Sequence, residues 1–210
     1  LQFAKAINTP ANSSTNNKGF GIKVDSNNDI IIIGNAQTSG TISSVGVTFI
    51  GKYTSAGVRI WNRTFSGSYH TASASKPFIN SSGDIFFAYR KRDSSWKYET
   101  VTVKYNSSGT EQFKSNTWSI KHTGQYQFEA GCAEDSKGNV YSVGSNRNSS
   151  STQFCGFLFK YDSSGNFIFY KRFGNTSLDT RFRAIAIDSS DNVYCSGSQN
   201  SMGIVVKYDS

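Results

Sequence analysis

The residues first suspected of acid–base chemistry are the 14 carboxylates. Eight of them, Asp25, Asp29, Asp84, Asp135, Asp162, Asp188, Asp191 and Asp209, fall in short polar stretches that recur along the chain. Asp and Asn are favoured in such stretches because their short side chains hydrogen-bond the backbone two residues on, so these eight read as turn formers. The Asp25-Ser-Asn-Asn-Asp29 run has the opening spacing of a calcium loop but lacks the Gly and the bidentate Glu that complete one. Asp93, Glu99, Glu111, Glu129, Glu134 and Asp179 remain, and a glycosidase pair would have to come from them. Glu129 and Asp179, both expected beside variable loops, are the pair to test.

Other reactive residues give little. His70 and His122 fall in connections and show no two-ligand spacing. Cys132 and Cys155 are expected on the first and third strands of one sheet, two spacings of about 4.8 Å apart, too far for a disulfide whose Cα atoms lie within about 7 Å. Cys195 belongs to the next unit, so three free, largely buried thiols are expected, with no metal and no cofactor. The net charge of +8 and pI near 9.4 invite a polyanion partner. Lys52, Lys104, Lys160 and Lys207 recur once per unit, however, which spreads the charge instead of forming a stripe. General attraction to an anionic cell-surface polymer fits this better than specific nucleic-acid binding.

The elements that must position these residues are strands. The chain has 3 Leu against 16 Ile, 11 Val, 16 Phe and 11 Tyr, a swap of the best apolar helix former for β-branched and aromatic residues. The longest purely apolar run, Ile30 to Ile33, is strand-sized, so no membrane insertion is expected. A unit of roughly fifty residues repeats. Lys52-Tyr53, Lys104-Tyr105 and Lys160-Tyr161 are each followed by a Gly four residues after the Tyr, then by Trp61, Phe113 and Phe169 four residues beyond that Gly. A fourth copy, Lys207-Tyr208, stops at Ser210. A second landmark, a turn opened by Asp25, Asn80, Asp135 and Asp188, recurs after 55, 55 and 53 residues. Each turn separates two apolar runs, giving four strands per unit. In the third unit these are 128 to 134, 140 to 144, 154 to 161 and 167 to 173.

Consecutive apolar positions in Ile30 to Ile33 and Ile85 to Tyr89 suit strands buried on both faces. Four-stranded sheets stacked around an axis meet that demand. The expected fold is therefore all-β, a β-propeller of four-stranded antiparallel blades in a single domain over 1–210. An outer strand and loop occupy 1–18, and repeat units follow at 19–68, 69–124, 125–179 and 180–210. Leu1 to Ile7 matches the fourth strand of a unit, while the last unit lacks that strand. Either the amino-terminal strand completes a ring of about four blades, or the chain is a window of a longer array.

The runs Asp135 to Gly144, approximately repeated at Asp188 to Gly197, and Phe157 to Asn166 resemble the bacterial and phage "seven-bladed β-propeller" repeat. The resemblance covers nearly the whole chain and departs most in the second unit, where Tyr89 replaces the Gly that ends the second strand elsewhere. It implies an extracellular, cell-surface or virion location and no shared catalytic residues. With 34 Ser and 18 Asn on the chain, the expected function is a non-enzymatic binding or structural module. A phage virion fibre or bacterial surface adhesin recognising glycan, and assembled with other subunits, would fit; the alternative is a propeller enzyme acting on polysaccharide.

Two kinds of connection differ in the sequence. Those between first and second and between third and fourth strands are short and nearly identical, whereas the others vary and share one face of an up-and-down sheet. That face is expected to carry Tyr69, Arg92, Trp96, Tyr126 and Arg147 as ligand-binding residues, since exposed aromatic–Arg mixtures are what binding surfaces use.

Overall fold

The computed structural model describes residues 18–37, 46–66, 74–92, 98–116, 127–147, 153–175 and 177–209. They form four antiparallel sheets in chain order and, among the described residues, no helix. The first sheet is β1 (Lys18–Val24), β2 (Ile30–Gln37), β3 (Gly46–Tyr53) and β4 (Arg59–Ser66). The second is β5 (Phe78–Ile79), β6 (Ile85–Arg92), β7 (Tyr98–Tyr105) and β8 (Glu111–Asn116). The third is β9 (Gln127–Glu134), β10 (Val140–Arg147), β11 (Phe154–Tyr161) and β12 (Phe167–Phe173). The fourth has three strands, β13 (Thr180–Ile187), β14 (Val193–Gln199) and β15 (Met202–Tyr208). Each sheet is a plain up-and-down meander. The strand expected over Leu1 to Ile7 lies outside the described residues.

Register repeats with the sequence. Ile30, Ile85, Val140 and Val193 pair with Tyr53, Tyr105, Tyr161 and Tyr208, and Lys52, Lys104 and Lys160 pair with Trp61, Phe113 and Phe169. Side chains alternate between two faces, and both faces of the inner sheets are apolar, so each sheet stacks on the next. Ile31, Ile33, Ile50, Trp61 and Phe65 on the leading face of the first sheet pack on Ile85, Phe87, Tyr89, Val101, Val103 and Tyr105 on the trailing face of the second. Phe86, Ala88 and Phe113 of the second then meet Cys132 and Val140 of the third. Tyr141, Val143 and Leu158 of the third meet Phe182, Val193 and Cys195 of the fourth.

Glycine seats the outer strands. Gly109 (φ +79°) and Gly165 (φ +86°) adopt the left-handed conformation their turns require. A Cβ at either would also lie 2.6 Å from Trp61 or Phe113 of the preceding sheet. The repeated Gly-then-aromatic spacing thus encodes a contact between sheets as well as a turn.

The second sheet departs from this plan at both ends of its inner strands. Lys76-Pro77 precedes a β5 of only two residues, because Pro77 has no N–H to give the ladder. Ser75 substitutes: its N–H donates to Ala88 O at 2.8 Å and its Oγ accepts from Ala88 N–H at 3.0 Å. Ala74 then forms an isolated bridge with Tyr89. Cys132, Cys155 and Cys195 are buried and form no disulfide among the described residues.

Candidate functional site

The strands end on two rims. On the first, most turns use one device, the exception being the turn after β3, where the Thr54 hydroxyl accepts from Val58 N–H alone at 3.1 Å. Asp25 Oδ1 accepts from the N–H groups of Asn27 and Asp29 at 2.9 Å each, and Asp135, Asp162, Asp188 and, as an amide, Asn80 do the same. The second oxygen is taken as well. Lys52 Nζ lies 2.8 Å from Asp25 and 3.3 Å from Asp29, Lys104 Nζ lies 3.0 Å from Asp84 and 3.6 Å from Glu134, and Lys160 Nζ lies 3.7 Å from Asp135. The lysines spread around the sheets by the repeat are therefore internal counter-ions of the turns. Lys52 fills the place a cation would take between Asp25 and Asp29.

Electrostatics on this rim follow from those contacts. Burial opposes ionisation of Asp25, but the Lys52 hydrogen bond and the two backbone N–H groups outweigh it and hold its carboxyl below the usual range. Burial likewise works against the Lys52 ammonium and is overcome by Asp25 and Asp29, so its pKa is raised. Asp188 is lowered to about 2, chiefly by the Asn192 side chain, with burial opposing and the Asn192 N–H and Tyr194 hydroxyl adding. Carboxylates committed in this way are not free for proton transfer.

The second rim does not repeat. Arg92 closes β6 and Arg147 closes β10, the place of Gln37 in the first sheet, whereas β14 of the fourth ends one position earlier, at Gln199. The structure thus puts two of the expected ligand-binding residues at matching corners of adjacent sheets. Tyr69, Trp96 and Tyr126 lie outside the described residues, as do His70 and His122.

The expected Glu129–Asp179 pair falls on β9 and on the residue before β13. Glu129 lies on β9 opposite Gly144, while Asp179 is committed to holding the third and fourth sheets together. Its Oδ1 accepts from Phe154 N–H at 3.0 Å, its carboxylate takes Arg181 Nε and Nη2 at 3.1 and 3.0 Å, and its backbone is bonded to Asn200 in both directions. Arg181 in turn lies 4.2 Å from the centre of the Phe154 ring and stays about one-third exposed. Phe154, Asp179 and Arg181 form a clamp that presents a guanidinium on this rim.

A residue passed over in the sequence is more telling. Glu99, the second residue of β7, is 4% exposed. Lys91 Nζ lies 3.3 Å from its Oε1, yet neither carboxylate oxygen accepts a hydrogen bond from a described residue. Beside it stands Tyr89, buried against Phe65 and Phe87. Burial, followed by the Glu99 charge, drives the Tyr89 phenol far above its ordinary value. The position of Tyr89 is glycine in the other sheets, at Gly34, Gly144 and Gly197, so the site exists where the second sheet breaks the repeat. A buried carboxylate that takes no hydrogen bond from a described residue calls for an explanation. That missing glycine was its only signal in the sequence.

No family model and no curated protein matches the sequence. Among solved structures, it is similar to an ACO/RPE65 chimera in a monoclinic crystal form, with TM-score 0.47 and 11% identity over 92% of this chain and 48% of that one. It is also similar to cobalt-substituted Synechocystis apocarotenoid oxygenase, with TM-score 0.46 and 10% identity over 93% and 47%. The chain spans about half the length of these structures. They are oxygenases, and the expected non-enzymatic adhesin or virion module has no counterpart in these two structures. At this identity none of their residues or chemistry carries over.

Proposed function

We propose that the four sheets are blades of a β-propeller enzyme that acts on an anionic polysaccharide at the non-repeating rim. The observation carrying this is Glu99, a buried carboxylate with Lys91 at 3.3 Å and no hydrogen bond from a described residue, in the sheet that departs from the repeat. Repeat proteins satisfy one set of local rules many times over, and the places that break them are where function is placed. Glu99 supplies the acid–base group at the glycosidic oxygen. Arg181, held by its clamp, and the strand-end residues Arg92 and Arg147 hold the polymer's acidic groups, as guanidinium forks do for carboxylate. An extracellular or cell-surface setting, and the kinship with the seven-bladed repeat, belong with this reading.

Reducing-end release from a panel of neutral and acidic polysaccharides tests it. Release is expected from acidic members, with a loss of at least a hundredfold in Glu99→Gln at unchanged melting temperature. No release from any member, or full activity in Glu99→Gln, would overturn the assignment.

A further inference from the structure

The place held by Glu99 in the second sheet is held by Cys155 in the third. Both stand six positions before the tyrosine that ends their strand, Tyr105 and Tyr161, where the first and fourth sheets carry Val47 and Met202. The thiol is wholly buried, yet a charge reaches it: Arg172 Nη2 donates to Cys155 Sγ at 2.8 Å. The Sγ–H in turn donates to Asn175 O at 3.5 Å. Directly across the ladder from Cys155, and therefore on the same face, is Asn146. Asn146 is 3% exposed, and its Nδ2 has no hydrogen-bond partner among the described residues. Tyr170 belongs to the same group: burial raises its phenol, Asn146 and Arg172 oppose that, and Cys155 adds to it. A buried amide donor left idle calls for an acceptor that the described side chains do not supply.

We propose that Cys155 is an oxidation site, its sulfur taking one oxygen from hydrogen peroxide and holding it as a sulfenic acid against Asn146 and Arg172. The proposal is independent of the enzymatic reading. In the step, sulfur displaces hydroxide from the peroxide: an S–O bond forms, the O–O bond breaks, and the thiol proton leaves with the hydroxide as water. Sulfur is oxidised and the peroxide is reduced. The new oxygen is the acceptor that Asn146 Nδ2 lacks, the guanidinium steadies negative charge passing through sulfur, and the sulfenic proton keeps a bond to Asn175 O. Arg172 is itself an exposed residue, so rotation of one side chain admits a molecule as small as peroxide. The other two thiols are set differently. Cys132 lies 3.8 Å from the Ser75 hydroxyl, and Cys195 sits in the apolar cluster of Val143, Leu158 and Phe182, where burial pushes its thiol up to about 12.

Timed exposure of the full chain to dilute hydrogen peroxide decides it, with catalase to stop the reaction, unfolding in dimedone to trap sulfenic acid, and peptide mapping by mass spectrometry. The Cys155 peptide should acquire the dimedone adduct about tenfold faster than the Cys132 and Cys195 peptides, which serve as controls within the same molecule. Arg172→Met keeps a side chain over the sulfur but removes the guanidinium, and should slow Cys155 about tenfold at unchanged melting temperature. Arg172→Lys, which keeps the charge, should restore much of the rate. Equal labelling of the three cysteines, no adduct on any of them, or an Arg172→Met rate equal to that of the parent would each overturn the proposal.

Discussion

The two rims of these sheets obey opposite rules. On the turn rim one solution recurs: a carboxylate or amide caps two backbone N–H groups, and in the first three sheets a lysine from the third strand neutralises the carboxylates. On the other rim the described residues follow no common rule. The second places a buried glutamate beside a lysine, and the third and fourth share an Arg–Asp–Phe clamp. The contrast teaches where to look for chemistry in a repeat protein. Charge that recurs with the repeat is consumed by the fold, and charge that appears once is available to function.

The sharpest way to break this contrast is to remove a recurring lysine where it is buried and where it is not. Lys52 is 5% exposed in its side chain and faces Asp25 and Asp29, whereas Lys207 is 48% exposed and lies 3.9 Å from an exposed Asp209. Lys52→Ala leaves two carboxylates unpaired at a buried site, and such a loss costs about 3–5 kcal/mol. Lys207→Ala should cost no more than about 0.5 kcal/mol. Urea unfolding of both variants checks the pair. Equal losses would mean that the lysines do not serve the turns.

The seam between sheets comes next. Gly109→Ala sets a residue with a Cβ at φ +79° and drives it into Trp61. Left-handed strain and overpacking cost about 1–3 kcal/mol each. Thermal denaturation should show a loss of about 2–6 kcal/mol, partly recovered by Trp61→Phe, which opens space but leaves the backbone strain. No recovery would place the whole cost in the turn.

Legibility in the sequence follows the same division. Strand positions could be read because Lys-Tyr, the Gly and the following aromatic lock register in each copy, and the turn carboxylates could be set aside because their spacing recurs. The lysine partners could not be read, since Lys52 and Asp25 are 27 positions apart and meet only across two hairpins. Glu99 was one of six leftover carboxylates. Its burial comes from the packing of the first sheet on the second, which no local pattern encodes. Only Tyr89, standing where glycine recurs, marked that sheet as different. Asp179 was noticed for its place beside a variable loop, but the clamp with Phe154 and Arg181 joins strands of different sheets and shows only in three dimensions.

The smallest effect expected on the turn rim is a pH effect, and its sign is fixed by the direction of the shifts. Asp25 and Asp188 have folded-state values below the ordinary carboxylate value of 3.8, that of Asp188 at about 2. A depressed carboxyl binds fewer protons when folded, so it contributes stability above its unfolded value and loses it as pH falls through the folded one. Lys52 is shifted upward from 10.5, so its contribution is present below that value and lost above it. The melting temperature should therefore hold between about pH 5 and 9 and decline between about pH 4 and 2. Asp188→Asn isolates one part of the decline. Asn80 fills the same place in the second sheet, its Oδ1 accepting from Ser82 and Asp84 N–H at 3.1 and 2.8 Å, so the turn keeps its cap and the variant folds. Without the titrating carboxyl its acid decline should be shallower than that of the parent, with the gap between the two curves closing toward pH 2. Parallel curves across that range would show that Asp188 titrates alike in the folded and unfolded chain, and the acid sensitivity would then rest with the lysine-paired turns.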